Sequence, residues 1–369
     1  MSDFKSVSHF APISINGLSG MGRVALHWRE ALIRRGFMFR HYGTDEVPLP
    51  TLKPLWAVAA KRAWRKVGER EDLFLVHEPS AETLRHSGIQ TVLFSHGLEA
   101  RSQQMVPTES DLSKSRFRDK MTRPFWLWRV RQRELGLKYC PLLLLINEED
   151  RAYAITHYGR RPDDIFVFRN GVDPSPLQAQ QMTAGPPTVL FYGSWLERKG
   201  KSVLVEAAIS LVKAGIHLQW LLVGTGASEA AVLNDWPAIL HAAVEVLPHV
   251  KAEADDSIYK RATIFVLPSY YEGQPLTLLQ AMESGRCVIA SRCCGQKDIV
   301  QHGHNGFLFT PGDADELARL IALVVGDQDL RLKLGTQAKV DMASRRWPIV
   351  ADEVVDRLQQ FMHQRASFG

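Results

Sequence analysis

Long apolar runs are what this 369-residue sequence lacks. The longest, Cys140-Pro141-Leu142-Leu143-Leu144-Leu145-Ile146, falls far short of the ~20 residues needed to span a bilayer and reads as a buried parallel strand. The start, Met1-Ser2-Asp3-Phe4-Lys5, has no apolar core of signal-peptide length, so a cytoplasmic protein is expected. Cysteine is scarce. Cys140, Cys287, Cys293 and Cys294 show no zinc-ligand spacing, and no essential metal is expected. Adjacent Cys293 and Cys294 read as small residues lining a loop rather than as a redox pair. No short internal repeat occurs. The net charge of +5 alone would allow a nucleic-acid role, but no stacking or reader motif supports one, and no nucleic-acid partner is expected.

What is present fits two α/β domains: 45% hydrophobic and 23% charged residues over a length too great for one ordinary core. The basic residues are concentrated in the first half. Residues 53–70 hold six Lys/Arg against one Glu, with Trp56 and Trp64. Residues 112–138 hold nine against two acids, with Phe117, Phe125, Trp126 and Trp128. For 53–70 the favoured reading is a solvated helix face with inward aromatics. For 112–138 that reading stands level with a surface for an anionic membrane or anionic acceptor, which would place the protein peripherally on the inner membrane face.

Strands ending in glycine or small residues alternate with helical periodicity, which means parallel sheets with right-handed crossovers. In the second half, strands are expected at Thr188–Gly193, Leu218–Val223, Thr263–Leu267 and Cys287–Ser291. In the first half they are expected at His9–Ile13, Leu73–Val76, Thr91–Phe94, Leu142–Ile146 and Ile165–Phe168. A glycine-rich loop, Asn16-Gly17-Leu18-Ser19-Gly20-Met21-Gly22, follows the first. Pro174–Pro187, rich in Pro and Gly, reads as the linker. The expected domains are 1–178, 179–346, and a terminal helix over 347–369 crossing back to the first domain.

Ligands of open α/β sheets bind beyond the carboxyl ends of the strands, and helix N-termini there suit a diphosphate. The strongest local signal is Pro268-Ser269-Tyr270-Tyr271-Glu272-Gly273-Gln274-Pro275-Leu276, running into a helix with Gln280 two turns along. Glu272 on the strand-to-helix turn suits sugar hydroxyls. Gly273 permits close backbone approach. Gln280 reaches toward a ribose. The second signal is Gly193-Ser194-Trp195-Leu196-Glu197-Arg198-Lys199-Gly200, which sets cations on a loop before a helix at the same edge. Together they form a layout for a sugar joined to a nucleoside diphosphate.

At these residues the chain resembles the retaining GT-B glycosyltransferases of family 4, the group 1 glycosyl transferases. Their E-x7-E signature, G-R-L…K-G loop, N-G-V-D segment and H-G segment have counterparts here. These are Glu272-Gly273-Gln274-Pro275-Leu276, Lys199-Gly200, Asn170-Gly171-Val172-Asp173 and His96-Gly97. His302-Gly303-His304-Asn305-Gly306-Phe307-Leu308 resembles a further stretch. The resemblance implies two Rossmann-like domains facing across a cleft, and transfer of a sugar from an NDP-sugar to a hydroxyl acceptor, a glycan or lipid-linked glycan, with retention. It implies catalytic roles for Glu272, Lys199 and His96. Donor contacts would come from Gly17, Gly20, Gly224, the backbone of His249 and Val250, and the amides of Gly273, Gln274, Pro275 and Leu276. The NDP-sugar would be a co-substrate, with no cofactor.

Two positions depart from the family. Gln280 replaces the second glutamate, and Glu283 one turn on is expected to face solvent. Ser194 replaces an arginine, so either Arg198 supplies that charge from another position or the site has one cation fewer. An epimerase would need a further carboxylate pair and a phosphorylase a second phosphate site or pyridoxal phosphate. The non-enzyme alternative is a catalytically degenerate nucleotide-sugar-binding subunit of a glycan synthase complex.

Overall fold

The computed structural model describes residues 6–366, apart from 18, 49, 51–54, 68–72, 106–115, 180–185 and 251–254. Contacts divide the chain into two units. One holds Met1–Leu98, Glu109–Arg169 and Pro348–Gly369, and the other Glu99–Thr108 and Asn170–Trp347.

The N-terminal unit carries six parallel strands: β1 (Ser6–Phe10), β2 (Met38–Tyr42), β3 (Leu73–His77), β4 (Gln90–Phe94), β5 (Leu142–Leu145) and β6 (Ile165–Val167). Their order is β2-β1-β3-β4-β5-β6. The leucine run is β5, buried along its whole length. β1 begins and ends earlier than the expected His9–Ile13. Pro12 has no N–H for the ladder, and beyond it Ile13 N turns back onto the Ala11 carbonyl at 2.7 Å. β2 was not legible in the sequence. It is an edge strand, exposed at its start and only partly buried along most of its length, so it leaves little apolar alternation.

The C-terminal unit carries β7 (Thr188–Tyr192), β8 (Gln219–Val223), β9 (Val244–Leu247), β10 (Ile264–Leu267), β11 (Cys287–Ser291) and β12 (Phe307–Phe309), all parallel. Their order, β9-β8-β7-β10-β11-β12, is that of a dinucleotide-binding sheet, with the reversal of strand order between β7 and β10. Alternate residues of each strand face opposite helical layers. Val189 and Phe191 pack with Val203, Leu204 and Ala207 of the helix Lys201–Lys213. Leu190 and Phe265 pack with Leu278, Leu279 and Met282 of the helix Leu276–Glu283. Each such fully buried leucine contributes about 1.5–3 kcal/mol by leaving water.

The boundary lies ahead of the expected proline-rich linker. Asn170 to Gln178 are already stitched to the C-terminal unit. Ser175 N donates to Glu283 Oε1 at 3.2 Å, Ser175 Oγ to Asp256 at 2.6 Å, and Lys339 Nζ to the Ser175 carbonyl at 2.8 Å. Residues 180–185 lie outside the described residues. At the other end, the helix Trp347–Ala366 passes into the N-terminal unit, where Asp352 accepts from Arg34 at 2.8 Å and Glu353 pairs with Arg169.

The two basic segments differ. In the helix Trp56–Val67, Trp56 is buried and Trp64 meets Phe74 edge-on, so the aromatics do pack inward. The helix Arg116–Tyr139 leaves Trp126 46% and Leu127 60% exposed, with the Arg129 guanidinium 5.5 Å from the Trp126 ring centre. Arg133 is not on that surface: it is 5% exposed and donates to Glu134 at 2.8 Å.

Candidate functional site

At a reversal of strand order, the loops after the two flanking strands diverge and leave a crevice. In the C-terminal unit those are the loops after β7 and β10, and they carry Lys199 and Glu272. Lys199 Nζ lies 2.5 Å from Glu272 Oε1, and Arg198 donates to the same oxygen at 3.2 Å. The lysine side chain is 14% exposed and the carboxylate 10%, so water screens the pair little.

The close approach depends on glycine. Gly200 has φ +76°, and a Cβ there would lie 2.0 Å from the Pro268 carbonyl oxygen at the end of β10. The two loops are also joined through Tyr270 N, which donates to the Arg198 carbonyl at 3.0 Å. A third loop, after β11, braces the turn from below. Gly295 N donates to the Glu272 carbonyl at 3.2 Å, and a Cβ on Gly295 would lie 1.5 Å from the Gly273 carbonyl oxygen. Cys293 and Cys294 are both buried, and Cys294 opens the helix Cys294–Ile299 rather than lining a loop. Cys293 Sγ meets the Ser269 carbonyl and Cys294 Sγ lies 3.9 Å from Met105, so both line the turn. The Glu99–Met105 helix belongs to this unit by its contacts, and its Arg101 lies over the Tyr271 ring.

The remaining donor-side residues group at the same sheet edge. Gly224 ends β8 with φ +66°, and its N–H donates to the Leu247 carbonyl at 2.8 Å. His249 and Val250 follow β9, the histidine exposed and the valine packed against the buried cluster that holds Leu190, Val223 and Tyr259. Ser194 is exposed on the β7 loop. Arg198, not Ser194, is the second cation at Glu272. Pro275 caps the helix Leu276–Glu283. Gln280 is 8% exposed and donates from Nε2 to the Asp173 carbonyl at 3.3 Å. Glu283 does not face solvent. It is 1% exposed and held by Ser175 N and by Arg346 at 2.9 Å, so its charge is already committed.

In the N-terminal unit, the loop after β1 holds Gly17 and Gly20. Ser19 caps the helix Gly20–Arg34 by accepting from Gly22 N at 3.0 Å, and Arg23 donates to the Gly17 carbonyl at 3.2 Å. His96 follows β4 among Trp28, His77, Phe94 and Phe168. Burial, then the neighbouring His77, lowers its pKa to about 3, so it is a neutral imidazole near pH 7 rather than a cation.

Sequence reasoning did not find the histidines beside it. His41 Nε2 meets the Ile13 carbonyl at 3.0 Å, which makes its Nδ1 the acceptor of a 2.8 Å bond from His9 Nδ1–H. His9 Nε2 is then a buried acceptor with no hydrogen-bond partner among the described residues. The usable signal was a histidine near the carboxyl end of each of three adjacent strands: His9, His41 and His77.

A cavity of about 690 Å³ lies elsewhere, at the amino ends of β5 and β6, lined by Pro141, Arg151, Arg161 and Arg357 among others. Arg161 pairs there with Asp164 and Arg357 with the Asp163 carbonyl. This is the sheet edge opposite the one where α/β folds bind ligands. Among the described residues no cluster of His, Cys, Asp or Glu is able to hold a metal ion.

Residues 177–341 match the family model described as glycosyl transferases group 1. The C-terminal unit is a glycosyl transferases group 1 domain. The D-inositol 3-phosphate glycosyltransferase of Nocardiopsis dassonvillei is 29% identical over 233 residues, which is 58% of this chain and 54% of that protein. This chain spans about half the length of the curated relatives it matches. Sucrose-phosphate synthase from Thermosynechococcus elongatus superposes with a TM-score of 0.80 at 18% identity, covering 98% of this chain and all of that one. HepE of Anabaena, solved with UDP-glucose, gives 0.67 at 15% identity over 96% and 99% of the two chains. The fold shared with these structures is GT-B. Glu272, Lys199 and the turn between β10 and its helix all lie inside the group 1 domain.

Proposed function

We propose that the protein transfers a sugar from a nucleoside-diphosphate donor to a hydroxyl of a glycan or lipid-linked glycan, with retention of anomeric configuration, as in family 4. The observation that carries this reading is the Lys199–Glu272–Arg198 cluster at the strand-order reversal of a group 1 domain. Similar proteins support it: an inositol phosphate glycosyltransferase, and a structural neighbour solved with UDP-glucose.

In this reading Lys199 and Arg198 pass from Glu272 to the diphosphate, whose negative charge grows as it leaves. Preorganised cations in a poorly screened site stabilise that charge without reorganisation cost. Glu272, relieved of its cations, accepts from sugar hydroxyls. The N–H groups of Gly273, Gln274 and Leu276 hold the sugar and phosphate. Gly224, Ser194 and the backbone of His249 and Val250 face the nucleotide, and Gln280 its ribose. In the N-terminal unit, Gly17 and Gly20 contact phosphate, and neutral His96 contacts the sugar by hydrogen bonding. The departing phosphate takes the acceptor proton on the same face. No cofactor is required.

Exposed Trp126 and Leu127, with half-buried Arg129 over the Trp126 ring, support an acceptor held at an anionic membrane surface. No helix among the described residues is long and apolar enough to cross a membrane.

The test is nucleotide release from UDP-, GDP-, ADP- and dTDP-sugars, with the product anomer read by NMR. Release from one donor class, lowered by roughly 10²-fold in kcat/KM in Lys199→Ala, is expected. Unchanged turnover in both Lys199→Ala and Glu272→Ala would overturn the site. Nucleotide binding without any turnover would favour a binding subunit.

A further inference from the structure

After the Glu99–Thr108 segment, the chain passes between its two units at Arg169–Asn170 and again at Trp347–Pro348. On the C-terminal side these two crossings are paired with each other. Val172 and Arg346 form a parallel bridge, Val172 N donates to the Arg345 carbonyl at 2.8 Å, and the Trp347 ring lies against Gly171, where a Cβ would be 2.5 Å from it.

One side chain touches both crossings, and it comes from the turn that carries Glu272. Gln274 Oε1 accepts from Asn170 N at 2.9 Å and from the Arg345 guanidinium at 2.9 Å. Its own carbonyl accepts from Asn170 Nδ2 at 2.8 Å. All three residues are buried: Asn170 is 5% exposed, Gln274 6% and Arg345 9%. Buried bonds of this kind do not exchange freely with water, and losing the acceptor leaves a buried N–H and part of a buried guanidinium without their partner. A glutamine amide here therefore ties the backbone of residues 272–276 to both passages of the chain.

We propose that Gln274 is a positioning residue that transmits occupancy of the Glu272–Leu276 turn to the two crossings. Its side chain acts through Asn170 and Arg345, while its backbone belongs to the turn that meets the donor. A nucleotide diphosphate on the turn fixes the Gln274 backbone, and through Oε1 fixes the first and last segments of the C-terminal unit. A hydrophobic residue at 274 would let the turn and the crossings respond independently. The inference rests on the donor site proposed above.

Hydrogen exchange of the full chain, with and without saturating UDP, GDP, ADP or dTDP, tests it on peptides covering 168–174, 270–278 and 343–348. In the wild type, one nucleotide slows exchange in all three peptides, by about tenfold or more at the crossings. In Gln274→Met, which keeps the length and loses the acceptor, protection of 270–278 persists and protection of the crossings is lost. Gln274→Glu keeps the acceptor and restores it, which a merely damaged fold would not do. Protection of the turn without the crossings in wild type, or equal protection of the crossings in Gln274→Met, overturns this inference alone. Protection nowhere with any nucleotide overturns the donor site and this inference with it.

Discussion

Replacing His9 by phenylalanine isolates the acid sensitivity built into the N-terminal unit. His9 is 1% exposed and stacked against Phe39, His41 and Phe94. Burial first, then His41, His77 and His96, holds its pKa well below the usual value. In the unfolded chain it titrates near 6.5. Its folded pKa is depressed, so below pH ~6.5 the unfolded state binds a proton that the folded state refuses, and stability falls as pH falls. The slope is one proton, about 1.4 kcal/mol per pH unit, or ~2 kcal/mol between pH 6.5 and 5.0. His96, whose pKa is about 3 in the fold, adds a similar amount and doubles the loss. Phenylalanine retains a stacked ring and removes one titration, along with the bond to His41. The variant should therefore start from a different stability at neutral pH but lose ~2 kcal/mol less on acidification to pH 5.0. Hydrogen exchange of β1 and β3 amides, corrected for intrinsic rates, reads this locally. Parallel pH curves for wild type and variant would refute the reasoning.

Further outcomes follow from the packing. Gly200→Ala puts a Cβ 2.0 Å from the Pro268 carbonyl oxygen at φ +76°. Backbone strain alone should cost about 1–3 kcal/mol, and donor turnover should fall together with the melting temperature. Glu283→Ala leaves Ser175 N buried without its acceptor and the half-buried Arg346 without its partner, and urea unfolding should report a loss of about 1–3 kcal/mol. Gln280→Glu trades an amide donor for a carboxylate facing the Asp173 carbonyl. About 1 kcal/mol of stability should be lost while donor turnover survives, and an inactive but folded Gln280→Glu would mean the position serves another purpose. Flotation with anionic liposomes should retain the wild type and release Arg129→Ala/Arg131→Ala. A wild type that stays in the aqueous layer removes the membrane reading.

The strands that build the C-terminal unit were readable because they are buried on both faces and end in glycine or proline at a turn. Short edge strands were not: β9 is four residues with Glu245 exposed, and β12 is three. Lys199 and Glu272 could be paired from the sequence because both follow strands that flank a reversal of order, so topology alone brings their loops together. Arg198 was harder to place, since nothing in G-S-W-L-E-R-K-G tells which cation turns inward. Glu283 was misread because an acid one turn beyond Gln280 has the spacing of a helix surface. Its burial is set by Ser175 and Arg346, distant in sequence. Gln274 was read only as a donor contact, because the partners of its side chain lie at the two remote ends of the unit.

The pairing of Val172 with Arg346 brings the start and the finish of a whole lobe side by side. A lobe with adjoining ends can be cut out, inserted or exchanged as a cassette without opening its own core. Only the strap Glu99–Thr108 would be left behind on the other half. Chimeras that join residues 170–347 to the N-terminal half of a relative should therefore fold.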